Sequence, residues 1–147
     1  MNNSQAVIDS NIAVYAVTGM ELSTPAAVLL DSLRAKHTSL YAPHLWVYEV
    51  TSSIHKYLQV KYLTLDEAEQ ALKIALAFDI NLMDETPNLC QSAFHWATRL
   101  GQMSAYDGFY LAVAETLKVP LWTGDKRLAN AAKQLKLNWV HWMGDLE

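Results

Sequence analysis

Short apolar runs alternate with longer stretches of helical periodicity along this chain, and that alternation constrains the fold more than any other feature. It predicts a parallel sheet with helices on both faces. Gln5 to Ile8 reads as a buried strand, Ser10 and Asn11 as cap and turn residues, and Ile12 to Val17 as a short helix. Thr24 is a good N-cap, with Pro25 in the first turn, for a helix through Arg34. Ser39 to Ala42 reads as a strand, and Pro43 starts a helix to about Val60 with Val47, Val50, Ile54 and Leu58 inward. Thr64 and Glu67 match a capping box ahead of Ala68, Leu72 and Ala75.

The second half repeats the pattern. Ile80 to Met83 is a strand, and Thr86 with Pro87 opens a helix that reaches Leu100 and stops at Gly101. Ser104 caps a helix through Leu117, Val119 to Thr123 is a strand, Asp125 to Leu135 a helix, and Asn138 to His141 a last strand. Five strands and about seven helices result. At 147 residues the chain fits one domain, 1–147, with no repeat, low-complexity tract or linker.

Hydrophobic residues make up 52% and charged ones 18%, which argues against a disordered chain. No apolar run approaches the about 18 residues a spanning helix needs, and Met1 to Gln5 is polar without a basic flank. The expectation is a soluble, cytoplasmic protein with no membrane association. The only cysteine, Cys90, stands beside Leu89 and Ala93 and reads as a small core residue. A net charge of −4 is unusual for a nucleic-acid binder. Lys126, Arg127, Lys133 and Lys136 gather near one helix and could meet a phosphate backbone, although a solvated face is the default reading.

Four acids carry the chemical interest. Asp9 ends the run Ala6, Val7, Ile8, and Asp125 ends the run Pro120 to Gly124. In open α/β folds ligands collect outside the carboxyl ends of the strands, so acids placed there can converge. Asp107 breaks an apolar stripe, with Tyr110, Leu111 and Ala114 at i+3, i+4 and i+7, and an inward carboxylate needs a partner. Gly108 beside it allows a close backbone approach. Glu49 lies off its helix's main stripe and alone reads as a surface glutamate. Asp9 and Asp125 are each also plausible helix N-caps, a role that stays open at this stage. Together, crowded carboxylates repel and call for a hard cation such as Mg²⁺.

The five histidines, His37, His44, His55, His95 and His141, show no HxxxH or HExxH spacing. No GxGxxG, GxxxxGK[ST] or GxSxG occurs either, which removes the common dinucleotide, P-loop and hydrolase-elbow readings.

Val7-Ile8-Asp9-Ser10-Asn11, Pro43 to Val50 with Glu49, Ser104-Ala105-Tyr106-Asp107, and Leu121 to Leu128 with Asp125 resemble the PIN-domain family, and within it the VapC-type ribonuclease toxins. The resemblance spans nearly the whole chain, in order and spacing. It implies an α/β fold, a three-layer α/β/α sandwich with a central parallel five-stranded sheet. It also implies a Mg²⁺- or Mn²⁺-dependent ribonuclease acting on RNA, a homodimer, and a VapB-type antitoxin partner. By that match Asp9, Glu49, Asp107 and Asp125 are the catalytic and metal-binding acids, with Asn11 and Thr123 in support. Arg127 stands where some PIN nucleases carry a further acid, a departure that bears on a second metal.

Two rivals stand beside that reading. A haloacid-dehalogenase-like phosphatase would use Asp9 as nucleophile but needs a second Asp two residues on, where this chain has Asn11. A catalytically inactive PIN-like domain would only bind RNA or protein, and the intact acid set argues against it.

Overall fold

Ala6, Val7 and Ile8 are almost wholly buried, as a central strand covered on both faces must be. They belong to β1 (Gln5–Ile8) in a computed structural model that describes residues 4–146. Of the polar opening stretch, Met1 to Asn3 lie outside the described residues, as does Glu147. The chain continues through α1 (Ser10–Thr18), α2 (Ser23–Ala35), β2 (Ser39–Pro43), α3 (Leu45–Gln59), α4 (Leu65–Leu76) and β3 (Ile80–Met83). It closes with α5 (Pro87–Leu100), α6 (Tyr106–Leu117), β4 (Leu121–Thr123), α7 (Lys126–Gln134), β5 (Val140–Trp142) and a 3₁₀ turn over Met143–Asp145.

The strands form one parallel sheet in the order β3-β2-β1-β4-β5. The chain builds outward from β1 to β2 and β3, then crosses to the other side of β1 for β4 and β5. The order therefore reverses between β1 and β4, and such a switch point opens a crevice at the carboxyl ends of the two strands.

Alternate strand residues feed cores on opposite faces. Val7, Tyr41 and Leu121 pack with the larger core, which joins α3, α4, α5, α6 and Leu128 of α7. Ile8, Leu40 and Trp122 pack with a smaller core of Ile12, Ala26, Leu29, Leu33 and Met143. These layers match the sandwich expected from the sequence. No single helix among the described residues is long and apolar enough to cross a membrane.

Several local expectations need correction. Helix α1 starts at Ser10, so Ser10 and Asn11 are helical and Asp9 holds the cap position. Helix α2 begins at Ser23 behind Leu22 without a side-chain cap, which leaves Thr24 inside the first turn. Pro43 ends β2, pairing with Met83, and α3 starts two residues later. Ser104 does not cap α6, whose cap position is Ala105. Strands β4 and β5 are shorter or shifted, at Leu121–Thr123 and Val140–Trp142.

Cys90 is exposed. The buried face of α5 runs through Leu89, Ala93, Trp96 and Ala97, and the turn of about 100° per residue carries Cys90 off it. The capping box of Thr64 and Glu67 forms in both directions, and Thr86 caps α5 as expected.

Candidate active site

Register brings the ends of β1 and β4 together. Ile8 stands opposite Trp122, and the Asp9 N–H donates to the Trp122 carbonyl at 3.0 Å, so the next side chains along each strand, Asp9 and Thr123, meet. The Thr123 hydroxyl, fully buried, donates to Asp9 Oδ2 at 2.8 Å. The Thr123 hydroxyl oxygen in turn accepts the Asp125 N–H at 3.0 Å. Asn11 makes a second bridge, with Nδ2 donating to Asp9 Oδ2 at 3.3 Å and Oδ1 accepting the Gly124 N–H at 2.7 Å. Gly124 must lack a side chain here, because a Cβ would stand 2.9 Å from Asn11 Oδ1 and from the Tyr15 ring.

Asp9 occupies the cap position of α1 but its carboxylate makes no capping bond. It turns instead toward Thr123, Asn11 and, at 3.5 Å, Ser10. That separates it from Asp125, whose Oδ1 does cap α7 by accepting the N–H groups of Arg127 and Leu128 at 2.9 and 3.4 Å. For Asp9 the capping role is thus removed, and for Asp125 it is present.

Glu49 enters from α3 and is not the free surface glutamate its position in the helix suggests. Tyr110 donates its hydroxyl to Glu49 Oε1 at 2.6 Å, and Ser10 donates to the same oxygen at 3.2 Å. Asp107 comes from the first turn of α6, where Gln102 donates to its Oδ2 at 2.8 Å. Gly108 lets α6 lie against α5, since a Cβ there would fall 2.1 Å from the Ala93 carbonyl oxygen. The close approach expected from the sequence is therefore real, and it fixes the turn that carries Asp107.

The electrostatics join these acids. Asp9 is only 4% exposed, and its pKa is pushed up to about 8, first by burial and then by Asp107, with Glu49 and Asp125 adding to the rise against the Thr123 bond. Burial also raises Glu49, against the bonds from Tyr110 and Ser10, with Asp107 adding to the rise. Asp107 is raised by burial, with Asp125 adding and Gln102 and Arg127 opposing. Tyr110, pushed well up by burial and by Asp9 and Glu49, stays a protonated donor.

A buried carboxylate held only by neutral donors and surrounded by other acids lacks a positive counter-charge. Among the described residues none of the four acids takes part in an ion pair; the pairs there run from His44 to Asp84 and Glu85. All-oxygen donors with excess negative charge fit a hard divalent cation such as Mg²⁺ or Mn²⁺. Among the described residues no three His, Cys, Asp or Glu side chains form a ready coordination shell. Gln102 and Tyr110 hold Asp107 and Glu49 where a cation would compete for their oxygens. Three of the acids, Asp9, Glu49 and Asp107, open on a cleft of about 570 Å³ that is also lined by Ser10, Asn11 and Lys56 among others; Asp125 is not part of its lining.

Sequence reasoning missed Gln102 and Tyr110 as site-shaping groups, whereas Ser10, grouped with Asp9 and Asn11 at one strand end, does reach the acids. Tyr110 carried a signal, standing three residues after Asp107 on one helix face. Gln102 lies before the helix, where periodicity gives no signal.

Comparison with known proteins identifies the family of this fold. The chain is 32% identical over 127 residues to Ribonuclease VapC1 of Mycobacterium tuberculosis, covering 86% of this chain and 90% of the relative. Among solved structures, VapC20 of the same organism, described as a sarcin-ricin loop cleaving toxin, superposes with a TM-score of 0.64 at 17% identity, over 86% of this chain and 94% of the other. VapBC2 of Rickettsia felis, bound to a promoter DNA fragment, superposes at 0.63 and 15% identity over 94% and 96%. At those identities the structural matches speak to the fold. The family model described as PIN domain matches residues 6–134, and with it the chain belongs to the PIN-domain family.

Proposed function

We propose that this protein is a metal-dependent ribonuclease, the toxin of a type II toxin-antitoxin pair, acting through Asp9, Glu49, Asp107 and Asp125 as one domain. The observation that carries the reading is Asp9: a buried carboxylate that declines its cap position and faces three other acids. The ribonuclease name of the Mycobacterium tuberculosis relative supports the activity proposed here. Asn11 and Thr123 are supporting residues that hold Asp9 and the β4 turn in register.

Mg²⁺ or Mn²⁺, when bound, supplies charge for the phosphate and leaving oxygen and lowers the pKa of a water. Asp9 and Asp107 are the residues best placed to hold it, with Asp125 next. Glu49 keeps both of its donors on Oε1, and its raised pKa suits a group that accepts a proton from the attacking water or orients that water. Hydrolysis breaks one P–O bond of the RNA and places the water's oxygen on phosphorus.

An antitoxin of the VapB type is the proposed protein partner, supported by the toxin-antitoxin complexes among the structural matches. A homodimer and a cytoplasmic location accompany the proposal. Incubating the purified protein with labelled RNA, with Mg²⁺ or Mn²⁺ and with excess EDTA, tests it. Cleavage is expected only with the metal, and undiminished cleavage in EDTA would reject the metal-dependent reading.

A further inference from the structure

Each of two acids in the site is preceded by an exposed tyrosine: Tyr48 before Glu49 on α3, and Tyr106 before Asp107 on α6. Tyr48 is 71% exposed and Tyr106 is 58% exposed, a large aromatic surface to leave in water. Neither side chain is needed to close the core. Both line the acidic cleft, and both also line a second, smaller cavity of about 200 Å³ next to it. Leu45 is shared in the same way. The smaller cavity is otherwise lined mostly by apolar groups, Pro43, Met83, Leu89 and Phe109, with His44 and Glu85, which pair with each other at 3.3 Å, as its polar side.

We infer that this cavity, between Tyr48 and Tyr106, receives a nucleobase of single-stranded RNA flanking the scissile phosphate. The inference rests on the nuclease reading and deepens it. The cavity is smaller than a drug-sized pocket, which suits one planar ring system rather than a folded element. Its lining is mostly aromatic and apolar, the surface on which unstacked bases dock, whereas a paired base would stay in its helix. Continuity with the acidic cleft through Tyr48, Leu45 and Tyr106 sets the occupant: a chain whose phosphate lies among the acids must pass its neighbouring base over these rings. The net charge of −4 gives the protein little general attraction for RNA, so a stacking site would supply part of the grip.

The test uses the full chain with a single-stranded oligoribonucleotide spanning a cut mapped by sequencing RNA ends. Tyr48→Ala and Tyr106→Ala are expected to raise KM roughly tenfold each with kcat changed far less, and the Phe variants to restore it. Oligonucleotides made abasic in turn at each position flanking the cut should reveal one position where wild type loses a similar factor and the Ala variants lose little more. The wild-type half of that measurement needs no variant, so the position-specific loss can be read even if a variant folds poorly. Unchanged KM in both Ala variants, or no flanking position sensitive to base removal, would overturn the inference while leaving the nuclease reading intact. A wild-type protein that cuts no RNA with Mg²⁺ or Mn²⁺ would remove both. If the Ala variants cut RNA normally but fail to bind an antitoxin or to form dimers, the rings serve a protein contact and the inference is wrong.

Discussion

The hydroxyl of Thr123 links two acids at once, donating to Asp9 Oδ2 at 2.8 Å and accepting the backbone N–H of Asp125 at 3.0 Å. It ties the end of β4 directly to the carboxylate that follows β1. Thr123→Val keeps the branched shape and removes the hydroxyl, so two buried polar groups lose a partner. The expected cost is about 2 kcal/mol, or roughly 5 °C in Tm, together with a fall in cleavage because Asp9 is no longer held. Thermal unfolding and a cleavage assay on the same preparation check it. An unchanged Tm would mean the hydroxyl bond carries no weight.

Stability of the metal-free protein should depend on pH in a definite direction. Asp9 has a pKa near 8 in the folded chain, against 3.8 as the ordinary value, so the folded state holds its proton more tightly than the unfolded state does. Its contribution is therefore full below about pH 4 and is lost as pH rises through about 8. Glu49 and Asp107 are raised and act in the same sense, while His141, lowered by burial, acts in the opposite one. Between pH 5 and 8.5 the metal-free Tm is expected to fall by at least about 4 °C, with most of the fall absent in Asp9→Asn. A Tm that rises over that range in the wild type would contradict the assignment.

Asp125 both caps α7 and faces the cluster, and Asp→Asn separates the two roles, since Asn caps nearly as well without charge. Asp125→Asn and Asp107→Asn are each expected to keep or raise the Tm without metal, because one charge leaves a repelling group. Both should reduce the stabilisation that added Mn²⁺ gives, and both should lower cleavage sharply. Full activity with unchanged metal-induced stabilisation in both variants would leave the acidic site without support.

The parts of this site that sequence could reveal are those written in one segment. Asp107 announced itself by breaking an apolar stripe, and Asp9 by ending a buried run. Glu49 did not, because what engages it is Tyr110, 61 positions away on another helix, and α3's own periodicity says nothing about that neighbour. The same limit hid Tyr48 and Tyr106 as a pair. Strand order was beyond the sequence as well: alternation implies parallel strands but does not say that the chain returns past β1, which is what puts Asp9 and Thr123 side by side. Helix starts at Ser23 and Tyr106 went astray for a different reason. Thr24 and Ser104 have good capping chemistry, yet the chain begins those helices without any side-chain cap.

The most direct test of the account is the cleavage rate of Asp9→Asn beside wild type under saturating Mg²⁺ or Mn²⁺, with folding verified by circular dichroism and metal binding followed by calorimetry. The amide keeps the shape of the buried carboxylate and can still accept from Thr123, so the fold should persist. Cleavage is expected to fall by at least about a hundredfold and metal affinity to drop with it, as several kcal/mol of charge stabilisation disappear. A folded Asp9→Asn protein that cuts RNA at the wild-type rate and binds the metal as tightly would contradict the claim that Asp9 anchors the site.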